Sequence, residues 1–197
     1  MRDRLDEVLG VAAPLLAQVD AALGQQGAPA GHEVWRQLRR VRLLPGDATR
    51  AVASLRPAEF DDAVVLLRAD ARACAEVAQE LPPPGGWAGE AAEAYGELRA
   101  RVADRLSGDG ESLDERLEAS ADLAEALIDW MGRARAELAL ALAGALASEE
   151  AIALKAEDDP LAAAAVAARV LRTIADSYAE ADDLLQGSAE LAAAIPM

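Results

Sequence analysis

Disulfide chemistry has nothing to work with in this chain, because its single cysteine, Cys74, leaves no intrachain bridge to form. A small apolar residue buried on a helix is the plain reading of Cys74. Histidine is just as scarce. With His32 alone and no cysteine nearby, zinc has no ligand set, and a Ser-His-Asp or Cys-His arrangement would rest on that one ring. His32 opens a short surface helix, where a polar N-terminal residue accounts for it. No strand signal is long enough to matter, so no Gly-rich phosphate loop can follow a strand. Long apolar runs are missing too. The most apolar stretch, Leu138 to Ala147, is about half the roughly twenty residues that a membrane-spanning helix needs. The N-terminus, Met1-Arg2-Asp3-Arg4-Leu5-Asp6-Glu7, is charged and lacks a signal-peptide core. The expectation is a chain made in the cytoplasm, without membrane insertion, and exported, if at all, by a route that reads no cleavable signal.

Positive charge is in short supply. Nineteen Lys and Arg against thirty-five Asp and Glu leave a formal net charge of −16. Such a surface repels phosphate backbones and anionic lipid, which argues against nucleic-acid and membrane-surface roles. One basic cluster stands out, Arg36, Arg39, Arg40 and Arg42. A solvated helix face is its plain reading and an anion site the sharper one.

What the chain has in abundance is alanine, about a quarter of its 197 residues, followed by Leu, Glu, Arg and Asp. That composition favours helix nearly everywhere, and Ala/Leu cores let helices approach closely. Apolar spacing predicts a first helix over residues 2–24, kinked or divided at Pro14, then a linker around Gly24–Pro29. A short helix over 32–44 carries Val34, Trp35, Leu38, Val41 and Leu44 as core. Pro45-Gly46 ends it and Asp47 caps another through Leu55. A long helix over 58–81 is followed by a turn and a helix over 89–107. Ser112-Leu113-Asp114-Glu115 reads as a capping box opening the longest helix, to about Ala147. Residues 149–158 read as acidic loop or frayed helix, and Asp159-Pro160 starts a last helix that Gly187-Ser188 ends. The sum is an all-α fold, an elongated antiparallel helical bundle. Its segments are an N-terminal helical arm (1–56), a helical hairpin (57–107) and a long C-terminal hairpin with a tail (108–197), forming one continuous bundle.

Catalysis finds little support. The acidic runs Asp61-Asp62, Glu157-Asp158-Asp159 and Asp182-Asp183 suit helix starts and solvated faces, and no cofactor or metal is expected. The sharpest feature is the turn Pro82-Pro83-Pro84-Gly85-Gly86-Trp87-Ala88-Gly89, followed by Glu90-Ala91-Ala92-Glu93-Ala94-Tyr95. Three prolines and two glycines stop a helix, and a scarce aromatic then sits at the break. Trp87 and Gly89 in that setting resemble the WxG-motif helical hairpin proteins of bacterial type VII (ESX) secretion, of which this chain would be an enlarged and divergent member. In that family a Tyr-x-x-x-Asp/Glu on a late helix forms the second half of the export signal, and Tyr178-Ala179-Glu180-Ala181-Asp182 matches it. Residues four apart share a helix face, so Tyr178 and Asp182 can be read together.

The resemblance implies a secreted or secretion-associated protein that is not an enzyme and acts by helix-mediated recognition. It also implies a protein partner, either a homodimer mate or a related helical hairpin protein, and a secretion ATPase. The same residues also suit a cytoplasmic helical adaptor or chaperone for a secretion substrate, or a structural bundle whose Trp-x-Gly is incidental. Trp130-Met131-Gly132 has the same letters without the turn, and its helical register marks Trp130 as core.

Overall fold

A computed structural model describes residues 3–108, 110–156 and 159–193, the last five as backbone only. Among the described residues there are eight α-helices and no strand. They are α1 (Arg4–Gln26), α2 (Val34–Val41), α3 (Pro45–Ala53), α4 (Asp61–Glu80), α5 (Glu90–Leu106), α6 (Leu113–Leu146), α7 (Glu149–Ala156) and α8 (Pro160–Ala193), with a 3-10 turn at Pro57–Glu59 before α4. Glu157, Asp158 and the tail 194–197 lie outside the described residues.

The chain forms two compact units. One takes the described residues of Met1–Arg56 and Asp129–Leu185, the other those of Pro57–Ile128 and Gln186–Met197. The first holds most of the core. Leu5, Val19, Val34, Val52, Leu138, Leu142, Leu154, Leu171 and Ile174 are all but inaccessible. Each fully buried Leu or Ile contributes about 1.5–3 kcal/mol relative to exposure. On α8, Ala162, Ala163, Ala164, Ala167 and Ala168 are buried among them, so small side chains form much of that packing face. The second unit is thinner. Here α4 packs against α5 and buries only Val64, Ala71 and Ala78, which repeat every seventh residue, while α5 buries no residue at all.

Several local expectations are corrected. Pro14 does not divide α1, which runs unbroken from Arg4 to Gln26. The ring faces solvent, and the carbonyl four residues back belongs to exposed Gly10, where water can satisfy it. Helix α1 passes as a membrane span by length and composition, and one face of it, Leu5, Ala12, Leu15, Leu16, Val19, Ala22 and Leu23, is buried in the first unit. Pro45 starts α3 rather than ending α2, because its fixed φ suits the first helical turn, and Asp47 falls inside that turn instead of capping it. It is Arg42, at φ 61°, that closes α2, donating its N–H to the Leu38 carbonyl at 2.8 Å.

Helix α6 starts directly after Ser112, as expected, but the Asp114 carboxylate rather than the serine hydroxyl accepts the Glu115 N–H, at 2.8 Å. Of the two readings of the acidic run, helix holds over residues 149–156. Ser148 Oγ accepts the Ala151 N–H at 3.3 Å, Glu149 and Glu150 favour the positive helix start, and Leu154 is buried. Gly187-Ser188 does not end α8, which continues to Ala193. A helical glycine costs only about 1 kcal/mol, too little to stop a helix of this length.

Candidate functional site

Helix α4 stops at Leu81 because prolines 82–84 supply no N–H to continue it. The proline segment is held by two side chains of α5. Arg99 Nε donates to the Leu81 carbonyl at 2.8 Å, and the Tyr95 hydroxyl donates to the Pro82 carbonyl at 2.8 Å. The Trp87 N–H then donates to the Pro84 carbonyl at 3.3 Å across Gly85, whose φ of 64° needs the glycine. Gly89, at φ 78°, turns the chain into α5, and its carbonyl accepts from Ala92 and Glu93 N–H at 2.9 and 3.2 Å. Glu90 and Glu93 sit in the first turn of α5, where carboxylates favour the exposed N–H groups.

Trp87 is 63% exposed at this end of the hairpin. Its ring meets Tyr95 edge to face, with centroids 5.6 Å apart and planes at 60°. Tyr95 therefore does two things at once: it pins the proline segment by its hydroxyl and steadies Trp87 by its ring. Neither Tyr95 nor Arg99 stood out in the sequence as a site residue. Tyr95 closes the motif in the sequence, and only the folded turn brings its hydroxyl to the proline carbonyl.

Tyr178 and Asp182 lie on α8, in the first unit, whereas Trp87 and Gly89 lie in the second. Tyr178 is half-buried, and burial raises its phenol above the ordinary range. Asp182 is exposed and enters no ion pair among the described residues. The pair shares a helix face, with the ring partly packed and the carboxylate in water. Beside them, buried Trp130 donates its Nε1–H to the Ser177 carbonyl at 2.7 Å.

Compared with known protein families, curated proteins and solved structures, the chain matches none. Among the described residues, no group of three or more His, Cys, Asp or Glu is placed to hold a metal ion. His32 Nδ1 accepts the Val34 N–H at 3.2 Å, a local helix-start bond. Trp35 is a correction: it is 37% exposed rather than core, with Nε1–H donating to the Pro29 carbonyl at 3.1 Å. The buried stripe of α2 is Val34, Gln37 and Val41, and Trp35 sits one residue, about 100°, off that line.

Proposed function

We propose that this chain is a secreted or secretion-associated recognition protein of the type VII class, working through helix surfaces without chemistry of its own. The observation that carries the reading is Trp87. A scarce aromatic stands 63% exposed at a glycine-bounded helix turn, and Tyr95 holds it in place. Large exposed aromatics fixed in one geometry lose little entropy on binding and recur as anchors at protein interfaces. The flanks of the hairpin support a protein partner, since Val65, Leu66 and Val77 on α4 and Leu98 on α5 are exposed. Tyr178 and Asp182 would supply the helical half of the export signal.

The same exposed hairpin face serves a second reading, a cytoplasmic adaptor that binds a secretion substrate. Export separates the two. In a bacterium with an active type VII system, wild-type protein is expected in the culture medium. Asp182→Ala should abolish export while helical content and melting temperature stay unchanged. Asp182 is the cleaner test, because truncating half-buried Tyr178 also removes packing. Wild-type protein retained in cells with the machinery active would overturn the export reading and leave the adaptor.

A further inference from the structure

The segment leading into α2 forms one wall of a concave site of about 620 Å3 lined by Gly31, His32, Glu33, Trp35, Arg36 and Arg39. It lies where this acidic chain gathers arginine. Arg40 is committed to Asp176, at 2.8 Å, and to the Ala175 carbonyl. Arg36 and Arg39 enter no ion pair among the described residues. Helical spacing puts Arg36 and Arg39 side by side on α2, with Trp35 one turn before Arg39, and His32 lies in the turn just before the helix.

The tryptophan is fixed in place. Its Nε1–H is held by the Pro29 carbonyl at 3.1 Å, and its Cζ2–Cη2 edge lies over Gly27, where an added Cβ would stand 3.9 Å away. His32 accepts at Nδ1, so its neutral ring carries the proton at Nε2 and remains a donor there. Glu33, the one acid in the lining, is paired with Arg172.

We propose that this is a binding site for a small planar anion, an aromatic ring bearing one carboxylate or phosphate. The ring stacks on Trp35 and the acid group sits between the Arg36 and Arg39 guanidiniums. The recess has room for a ligand of this size but is open to solvent, which suits weak binding. The charge of the whole chain sets the size of the ligand. A polyanion carries many charges into a field of net −16, whereas a ligand with one or two feels chiefly the arginines within a Debye length of about 10 Å. The site belongs to the first unit and does not depend on the hairpin, so its failure would leave the recognition reading standing.

The test is an NMR titration of the full chain with phenyl phosphate, benzoate, inorganic phosphate and benzyl alcohol. The probe is the Trp35 indole N–H signal, assigned by its loss in Trp35→Phe. Phenyl phosphate or benzoate is expected to saturate that signal with a Kd of about 1 mM, and inorganic phosphate and benzyl alcohol to bind at least about tenfold more weakly. Either order of phosphate and carboxylate supports the site and names the acid group. The double variant Arg36→Gln, Arg39→Gln should weaken phenyl phosphate by about tenfold or more with an unchanged circular dichroism spectrum, both side chains being exposed. Absence of saturation by about 10 mM, unchanged binding in a folded double variant, or inorganic phosphate binding as well as phenyl phosphate would each overturn the proposal. Tighter binding, by about tenfold, of an acidic aromatic peptide would overturn it in favour of a peptide site.

Discussion

Arg135 on α6 is only 6% exposed, where an unpaired guanidinium would be expensive, and it makes four hydrogen bonds. It donates to Asp3 at 2.6 Å, to Asp6 at 3.0 Å, and to the Ala53 and Leu55 carbonyls at 2.6 and 3.0 Å. One side chain thus ties the start of α1 and the end of α3 to α6. Arg135→Met should cost about 2–3 kcal/mol in urea unfolding, below the roughly 3–5 of a fully buried pair because both aspartates keep contact with water. Arg135 also holds the Asp3 carboxyl below its usual range. Its stabilisation is therefore complete above the unfolded pKa and is lost as pH falls through the lower folded value. Asp20 has the opposite sign. Burial raises its carboxyl, against the pull of the Gly46 N–H, which donates to both its oxygens at 3.2 Å. Its contribution is present below the unfolded pKa and is lost as pH rises through the folded one. Asp20→Asn keeps an acceptor for Gly46 and removes the buried charge. The variant should be more stable than wild type at neutral pH, and urea midpoints measured down to acid should converge; a gap that widens on acidification would contradict this.

At the scale of elements, two tryptophans with the same local letters should behave oppositely. Trp130→Ala empties a core site and removes a second hydrogen bond to the Ser177 carbonyl, so a loss of about 3–5 kcal/mol is expected. Trp87→Ala should change the unfolding free energy by no more than about 0.5 kcal/mol, because most of its ring is already in water. Gly187→Ala should stabilise α8 by about 0.5–1 kcal/mol, since its backbone is helical and an added Cβ meets nothing within 4 Å. Amide exchange on either side of the site would register the gain, and destabilisation there would mean that the helix ends at the glycine after all. The helices themselves were legible in the sequence because alanine-rich periodicity leaves few alternatives, and the breaks at prolines 82–84 and at Ser112 were legible for the same local reasons. Glycine and proline misled for local reasons, since Gly187 costs too little to stop a long helix and Pro45 suits a first helical turn, whereas packing of buried Leu154 decides for helix over residues 149–156. The candidate site was legible only in part. Trp87 and Gly89 announce the turn, but the roles of Tyr95 and Arg99 exist only once α5 folds back on the proline segment.

Across the whole molecule the dominant fact is the excess of negative charge, and it sets how stability responds to salt. Two effects compete. Screening weakens the ion pairs, and it also weakens the mutual repulsion of the surplus carboxylates. The ion pairs are the smaller loss. Arg68, for example, fans out to Glu118, Asp122 and Glu125 at 3.7, 3.0 and 2.7 Å, but all four side chains are at least a third exposed. Exposed pairs of this kind contribute about 0–1 kcal/mol each even at low salt. Arg135, the one buried cation among the described residues, is largely shielded from screening. The repulsion, by contrast, sums over a net charge of −16 on 197 residues and acts over distances that low salt leaves unscreened. The melting temperature should therefore rise as sodium chloride increases from about 10 mM, where the Debye length is about 30 Å, to about 0.1 M, where it is about 10 Å. Sodium sulfate would confound the comparison by strengthening apolar burial, so chloride is the salt to use. A melting temperature that falls over this range would mean that the surface ion pairs outweigh the repulsion, and that the acidic excess is arranged in favourable networks rather than spread as a uniform field.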